Sequence, residues 1–246
     1  MRPARALVCA LAVLAAGGCA AGPAATATPP GVASQPPAIH WVRSSAEHRV
    51  LFLQVYGQAA EAVREREGAY DDGRWAVILD ADETVLDNSE YQRRRAAAGL
   101  GFTLESWNDW VREEAAPALP GAVRFVERVR SLGGRVAIVT NRDEPVCDAT
   151  RRNLDALGIV ADVVLCRQAG EEGKDGRFRA VQEGTTHAAL PPLEVLAWVG
   201  DNIQDFPGMG QEAREAPADA LARFGRSWFL LPNPMYGSWE RLPPRE

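Results

Sequence analysis

The sequence predicts a doubly wound α/β fold, in which a mainly parallel five-stranded sheet carries helices on both faces. Short apolar runs alternate with longer segments of helical periodicity from residue 75 onwards. The first run, Val77-Ile78-Leu79, ends abruptly in Asp80 and Asp82, as expected where a buried strand reaches the edge of its sheet. Strands separated by helices indicate βαβ units, and therefore parallel pairing.

The N-terminal residues 1–18 are predicted to be a secretory signal. Two arginines precede a short apolar run that ends at Ala16, and Gly17-Gly18-Cys19 follows. A positive start, a short apolar core and small residues before the cleavage point are typical of such signals, and the run is too short to span a bilayer. The cysteine after the small residues resembles the lipobox of bacterial lipoproteins, which predicts lipidation of Cys19. An ordinary cleaved signal is the alternative.

Residues 19–38 are predicted to form a flexible tether, because they are rich in proline and small residues and show no periodic apolar face. The folded domain is expected over residues 39–246. The whole chain has 27 Lys plus Arg against 33 Asp plus Glu, a formal charge of −6. This sign is wrong for a nucleic-acid polymer bound through its phosphates, so no such partner is expected.

An additional helix is predicted before the first strand. Ser44 and Glu47 have the spacing of a capping box, and apolar residues follow at helical intervals as far as Gly68. The first strand is expected at about 75–80. Residues 88–117 carry no strand signal and are predicted to form a small helical insertion that begins near Ser89.

The rest of the chain alternates between helices and strands. Further helices are expected to begin at Gly121, at Pro145 in a first helical turn, and near Lys174. Further strands are expected at 135–139, 163–165, 195–199 and 227–231. The folded part contains Cys147 and Cys166, and the sequence leaves open whether they form a disulfide or remain free thiols.

Polar side chains follow three of the predicted strands. They are Asp80 and Asp82, Thr140 and Asn141, and Asp201 and Asp205. Because the carboxyl ends of parallel strands share one edge of a sheet, these groups are expected to converge. Lys174, the single lysine of the chain, is expected to join them from the start of its helix. Each short pattern alone often only closes a turn or caps a helix, but the ordered set indicates a site.

The set predicts phosphoryl chemistry with Mg²⁺ as cofactor. Asp80 is expected to attack phosphorus and to ligate the metal together with Asp201, while Asp205 orients the water shell of the ion. Asp82 is expected to give a proton to the leaving group and later to take one from water. The phosphate is expected to bind to Thr140, Asn141 and Lys174.

Five segments resemble the class C acid phosphatases, the lipoprotein e family of the haloacid dehalogenase superfamily. They are Trp41–Glu47, Ile78-Leu-Asp-Ala-Asp-Glu-Thr-Val-Leu-Asp-Asn-Ser89, Val139-Thr-Asn-Arg142, Gly200-Asp-Asn-Ile-Gln-Asp-Phe206 and Leu231-Pro-Asn-Pro-Met-Tyr-Gly-Ser-Trp-Glu240. Ala81 stands where leucine is more usual. The resemblance implies a haloacid dehalogenase-like fold and Mg²⁺-dependent hydrolysis of phosphomonoesters, often nucleoside 5′-monophosphates, with an acidic optimum.

The resemblance also implies individual roles. Asp80 matches the nucleophile, and Asp82 matches the acid/base, whose backbone carbonyl also ligates Mg²⁺. Asp201 matches a metal ligand and Asp205 the fourth aspartate of the family. Thr140 and Lys174 match the phosphate-binding pair. Lipid anchoring at Cys19 in a bacterial outer membrane is implied as well.

Nucleotide recognition in that family uses aromatic stacking. The candidates are Tyr91, Trp107, Trp110 and Tyr236, with core packing as the alternative for each. We assign the stacking to Tyr91 and Tyr236, of which Tyr236 lies in a matched segment. A different functional class, a non-catalytic surface lipoprotein that uses the fold to bind a ligand or partner, is the competing hypothesis.

Overall fold

The computed structural model describes residues 35–244. The predicted signal over residues 1–18, the lipidation site Cys19 and most of the predicted tether lie outside these residues. Within residues 35–244, none of the helices combines the length and the apolar character that crossing a membrane requires.

The described residues form seven α-helices and five β-strands. The helices are α1 (Pro37–Ser44), α2 (Ala46–Arg66), α3 (Ser89–Ala97), α4 (Leu104–Arg112), α5 (Ala122–Ser131), α6 (Cys147–Ala156) and α7 (Asp175–Glu183). The strands are β1 (Trp75–Leu79), β2 (Arg135–Asp143), β3 (Val163–Arg167), β4 (Glu194–Gly200) and β5 (Trp228–Leu230). Every strand predicted from the sequence is present within a few residues of its expected position.

The five strands form one parallel sheet in the order β3-β2-β1-β4-β5, which confirms the predicted fold class. Alternate residues of β1 enter two separate cores. Val77 packs with residues of α2, α5 and α6 on one face. Ile78 packs on the other face with residues of α7, including Phe178. Since β1 is covered on both faces, its sequence is continuously apolar.

The N-terminal helical region differs from its prediction in two respects. The first helix begins at Pro37, inside the residues predicted as tether, because proline suits the first turn of a helix. The long helix is capped by Ser45 and not by Ser44, whose backbone still belongs to α1. Ser45 has an extended backbone (φ −84°, ψ 144°), and its side-chain oxygen accepts the N–H of His48 at 3.1 Å.

Helix α2 contacts the sheet and the loop that follows β1. The hydroxyl of the buried Tyr56 donates a hydrogen bond to the carbonyl of Thr84 at 2.8 Å. Near the other end of the helix, the Arg66 guanidinium donates to the carbonyl of Leu196 in β4 at 2.6 Å. The added helix therefore supports the backbone directly after Asp80 and Asp82.

The segment between β1 and α5 contains helices α3 and α4 and no strand, as its sequence indicates. Helix α4 is capped by Thr103, whose hydroxyl accepts the N–H of Ser106 at 3.2 Å. This insertion stands at the carboxyl edge of the sheet, since it directly follows the end of β1.

Cys147, at the start of α6, and Cys166, in β3, form a disulfide. Both are buried, and 19 positions of sequence separate them. The bridge connects β3 with the helix that follows β2. The sequence left open whether these cysteines form a disulfide or remain free thiols, and the structure shows the disulfide.

We expect replacement of both cysteines by serine to lower the free energy of unfolding by about 3 kcal/mol, because the bridge closes a loop of this length in the unfolded chain. Urea unfolding of the purified protein measures the change. Dithiothreitol should produce a comparable loss in the parent protein and none in the double variant. Equal unfolding midpoints for parent and variant would contradict the prediction.

Candidate active site

The ends of β1 and β4 place two aspartates side by side. Leu79 in β1 is paired with Val199 in β4, and the backbone N–H of Asp80 donates to the carbonyl of Val199 at 3.0 Å. Asp201 directly follows the last residue of β4. The chain order of the strands reverses between β1 and β4, which is where open α/β sheets form their ligand crevice.

Three carboxylates and one ammonium group form the centre of this crevice. Carboxylate oxygens of Asp80, Asp201 and Asp205 all lie within 4.8 Å of one another. The Lys174 Nζ atom lies 2.5 Å from Asp80 Oδ1 and 2.6 Å from Asp205 Oδ1, and its side chain is 2% exposed. The structure thus brings together three of the predicted acidic residues, from the ends of β1 and β4, with the lysine predicted at the start of a helix.

Neighbouring groups hold the two aspartates that follow β4. Asp201 accepts hydrogen bonds from the Thr84 hydroxyl at 3.2 Å and from the Asn233 amide at 2.9 Å. Asp205 accepts the backbone N–H of Asn202 at 2.8 Å. A Cβ atom at Gly200 would lie 2.3 Å from the Cβ of Asp205, so the close approach of this carboxylate requires glycine at the end of β4.

Burial dominates the protonation behaviour of the cluster. It raises the pKa of Asp80 to about 7 although Lys174 lowers it, and the charges of Asp205 and Asp82 raise it further. Burial and the charges of Asp205 and Asp80 also raise the pKa of Asp201 well above its usual value. Burial lowers the pKa of Lys174, but the attraction of Asp205 and Asp80 outweighs it and raises that pKa above its ordinary value.

The cluster has the charge and the donor atoms of a divalent cation site. One ammonium group compensates only one of the three carboxylates, and a buried excess of negative charge is costly unless a cation is bound. Carboxylate oxygens are the ligands that hard divalent cations prefer. Asp80, Asp201 and Asp205 are therefore the side chains that can hold such an ion.

The Asp82 side chain belongs to a different group of residues. Its carboxylate lies 2.7 Å from the guanidinium of Arg142, which is 1% exposed, and accepts the Asn88 amide N–H at 2.9 Å. The Asp82 carboxylate is not part of the cluster formed by Asp80, Asp201 and Asp205. A contact between the metal and Asp82 through the backbone carbonyl, as the resemblance implies, stays a prediction.

The two residues that follow the core of β2 differ in accessibility. Thr140 is fully buried, and its hydroxyl accepts the N–H of Arg142 at 3.2 Å. Asn141 is exposed and lines the cavity, and its side-chain oxygen accepts a hydrogen bond from Arg177 at 2.8 Å. Arg177 also donates to the Thr140 carbonyl, so this buried arginine holds the end of β2 in place.

A cavity of about 550 Å³ opens above the cluster. Asp80, Asp82, Lys174, Asp201 and Asp205 line its floor. The remainder of its lining is mixed, and its apolar and aromatic part comes from Phe102, Leu104 and Trp107 of the insertion and from Met235 and Tyr236 of the loop after β5.

The assignment of stacking to Tyr91 is wrong. Its side chain is 3% exposed and does not line the cavity. Helix α3 turns this residue into the interior of the insertion, where its ring meets Trp107 edge-on at 5.0 Å and its hydroxyl shares a hydrogen bond with Ser106. Phe102 and Trp107 are the aromatic residues that the insertion presents to the cavity.

Several residues of the site received no role from the sequence. Asn88, Arg142 and Asn233 all lie in segments that carry the family resemblance. Their position in these segments is the sequence feature that could have identified them as part of the site. Arg177 lies three positions after Lys174, within one helical turn, so it shares the same region of the helix surface.

The comparisons with known proteins agree with this geometry. A family model described as HAD superfamily, subfamily IIIB (acid phosphatase), matches residues 3–239. Acid phosphatase 1 of Solanum lycopersicum is 27% identical over 196 residues, which cover 74% of this chain and 69% of that protein. The stem 31 kDa glycoprotein of Glycine max is 25% identical over 187 residues, 73% of this chain and 65% of that protein, slightly less than two thirds of its length.

A solved structure is similar over most of its length. The class C acid phosphatase from Bacillus anthracis with tungstate bound superposes with a TM-score of 0.74 at 30% sequence identity. The match covers 82% of this chain and 85% of that one.

We expect added MgCl₂ to raise the thermal unfolding temperature more at about pH 8 than at about pH 5. Because the pKa values of Asp80 and Asp201 are raised, both carboxyls bind protons at the lower pH, and a cation has to displace them. Without a cation, the stability that protonated Asp80 contributes is complete below the usual carboxyl range and is lost as the pH rises through about 7.

Scanning fluorimetry in EDTA and in MgCl₂ across this pH range measures the effect. Asp201→Asn is the matched variant, because it removes one carboxylate of the cluster with little change in shape, and it should reduce the cation-induced increase. A cation effect that is the same at both pH values would contradict the assignment of the cluster.

Proposed function

Because the chain belongs to subfamily IIIB of the HAD superfamily, the acid phosphatases, and is thereby a phosphomonoesterase, we propose that it hydrolyses nucleoside 5′-monophosphates with Mg²⁺ as cofactor and an aspartyl-phosphate intermediate. The observation that carries this proposal is the carboxylate of Asp80 at the floor of an open cavity, 2.5 Å from the ammonium of Lys174. A nucleophile and a phosphate-neutralising cation are thus adjacent.

The first half of the reaction transfers the phosphoryl group to the enzyme. An Asp80 carboxylate oxygen forms a bond to phosphorus while the bond from phosphorus to the ester oxygen breaks. Lys174 stabilises the negative charge of the phosphate, and most of the catalysis is positioning and electrostatics. Asp82, protonated at this stage, gives its proton to the departing ester oxygen, which leaves as an alcohol.

The second half releases inorganic phosphate. Water attacks the phosphorus of the aspartyl phosphate, and the ionised Asp82 takes the proton that the water loses. The bond between phosphorus and the Asp80 oxygen breaks, which returns both carboxyl groups to their starting states. Asp80, Asp201 and Asp205 would hold Mg²⁺, which supplies further stabilisation of the phosphate's negative charge when bound.

The shape and lining of the cavity support a nucleotide as substrate. Its volume of about 550 Å³ lies inside the range of about 300–1,000 Å³ that is usual for small-ligand sites. Phe102, Trp107 and Tyr236 provide aromatic surface beyond the catalytic floor, where a base could stack. The Bacillus anthracis relative was solved with tungstate, a tetrahedral oxyanion like phosphate, which supports oxyanion binding in this fold.

A non-catalytic, ligand-binding role is not favoured. Such a protein has no chemical need for a buried lysine shared between Asp80 and Asp205, nor for a second aspartate held separately two residues after the first. Both features are present, and both serve a reaction with a nucleophile and a proton donor.

We expect Asp80→Asn to reduce phosphate release by at least about 10³-fold, since an amide cannot form the aspartyl phosphate. EDTA should have a comparable effect on the parent protein, and added MgCl₂ should reverse it. Release of inorganic phosphate from a panel of nucleoside 5′-monophosphates and simple phosphomonoesters measures both. Asp219→Asn, at an exposed position in a distant turn, is the control and should leave the rate unchanged.

Activity that survives Asp80→Asn would exclude the covalent mechanism, whereas activity that survives EDTA would exclude the metal. A parent protein that releases phosphate from none of the esters would leave the non-catalytic role as the better account.

Stacking predicts a specific kinetic consequence for Tyr236→Ala. Stacking on an aromatic ring is worth about 1–3 kcal/mol per base, so KM for adenosine 5′-monophosphate should rise about tenfold. Ribose 5-phosphate, which lacks the base, should show a change of less than about twofold. Tyr70→Ala, at a partly exposed tyrosine before β1, is the control. Equal losses on both substrates would contradict a stacking role.

A further inference from the structure

The carboxyl group of Asp82 is held by one of its two oxygens. Asp82 Oδ1 accepts hydrogen bonds from Arg142 Nε at 2.9 Å and from Asn88 Nδ2 at 2.9 Å, and it lies 2.7 Å from Arg142 Nη2. Among residues 35–244, no hydrogen-bond donor contacts Oδ2. The Asp82 side chain is 16% exposed and lines the cavity, so the oxygen without a donor is the one available to a ligand.

Arg142 cannot act on a substrate directly. Its side chain is 1% exposed at the end of β2 and does not line the cavity. A third nitrogen, Nη1, lies 3.3 Å from the hydroxyl of Thr150 in α6, and Nη2 also lies 3.2 Å from Asn88 Oδ1. The planar guanidinium is therefore fixed at several points, and its contribution can only pass through the residues that it touches.

Asn88 connects this arrangement to the helical insertion. Its amide nitrogen contacts Asp82, while its amide oxygen accepts the indole N–H of Trp110 in α4 at 2.8 Å. Trp110 is 4% exposed and, like Arg142, does not line the cavity. The indole N–H thereby orients the Asn88 amide. The amide oxygen must face the donors of Trp110 and Arg142, so the amide nitrogen must face Asp82.

We propose that Arg142, Asn88 and Trp110 are positioning residues for the hydrolysis, which hold Asp82 by Oδ1 so that Oδ2 faces the cavity and transfers the proton to the leaving group. The inference rests on the proposed role of Asp82 as acid/base. Asp82 Oδ1 accepts two hydrogen bonds and contacts a third nitrogen, so it is already surrounded by donors, and Oδ2 is the oxygen that can reach a leaving group in the cavity. The insertion, through Trp110, thus sets the geometry of proton transfer from a distance.

The leaving group distinguishes positioning of the acid from general damage. An alkoxide needs a proton as it departs, whereas p-nitrophenolate is stable enough to leave without one. Loss of acid catalysis therefore lowers kcat/KM for adenosine 5′-monophosphate far more than for p-nitrophenyl phosphate. The ratio of the two kcat/KM values is the readout, because it reports the step in which the ester oxygen leaves and a merely structural defect lowers both values together.

The experiment compares four variants of the full chain in MgCl₂. Trp110→Phe keeps one aromatic ring but removes the N–H that Asn88 Oδ1 accepts, together with the second ring of the indole, and it should lower the ratio about tenfold. Arg142→Lys keeps the charge but loses the guanidinium plane, and it should lower the ratio about 10²-fold. Asp82→Asn removes the acid and sets the maximal decrease.

Trp75→Phe is the matched control. It makes the same ring truncation at the amino end of β1, where the buried indole N–H has no hydrogen-bond partner among the described residues. It should leave the ratio unchanged, although it lowers the melting temperature. If Arg142→Lys does not fold, Trp110→Phe carries the test alone.

The outcomes separate the inference from the proposed function. If Asp82→Asn lowers the ratio and Trp110→Phe does not, the positioning role is overturned while Asp82 keeps its role. If Asp82→Asn lowers both kcat/KM values equally, the acid assignment itself fails. A selective decrease in Trp110→Phe, absent in Trp75→Phe, supports the inference.

Discussion

Carboxylate oxygens of Asp80, Asp201 and Asp205 lie within 4.8 Å of one another at the carboxyl edge of the sheet, where their charges repel and water screens them less than in bulk solvent. Lys174 compensates part of this charge through two close contacts, with Asp80 and with Asp205. Burial raises the pKa values of Asp80 and Asp201, and the charges of neighbouring carboxylates raise them further. The negative charge that Lys174 leaves uncompensated makes the cluster suited to a divalent cation. The surrounding hydrogen bonds from Thr84, Asn233 and the Asn202 backbone hold the carboxylates against their repulsion.

Two different cations contact the two aspartates to which we assign catalytic roles. The compact ammonium of Lys174 lies beside Asp80, the predicted nucleophile, where it can also meet a phosphate in the cavity. The planar guanidinium of Arg142 is buried behind Asp82 and engages several partners at once, which suits orientation better than substrate binding. The same sheet edge therefore holds one carboxylate beside an ammonium group and another fixed by a guanidinium, which suits the proposed roles of nucleophile and proton donor.

Much of the fold follows from local sequence. Apolar runs ending in polar residues located all five strands, because the central residues of β1, β2 and β4 are buried on both faces and are apolar. Helix starts were less well determined. Ser44 and Ser45 are chemically identical candidates for the cap of α2, and only the extended backbone of Ser45 allows its hydroxyl to reach the N–H of His48.

The aromatic residues show a similar limit. Tyr91 and Trp107 are both aromatic residues of the insertion, yet Tyr91 packs inside it and Trp107 lines the cavity. Which side of a short helix faces a neighbouring loop depends on how the insertion docks, and no pattern in the sequence records that docking. The disulfide between Cys147 and Cys166 was undetermined for the same reason, because it depends on the distance between α6 and β3.

The sequence by itself determined the parallel sheet and the convergence of Asp80, Asp201, Asp205 and Lys174. Strand ends of a parallel sheet meet at one edge whatever the details of packing. The tertiary structure alone decided that Asp82 is held apart from this cluster, because that depends on Arg142 and on Trp110 of the insertion. Ala81 between the two aspartates is fully buried, and the separation of their carboxyl groups is set by the partners that each side chain meets.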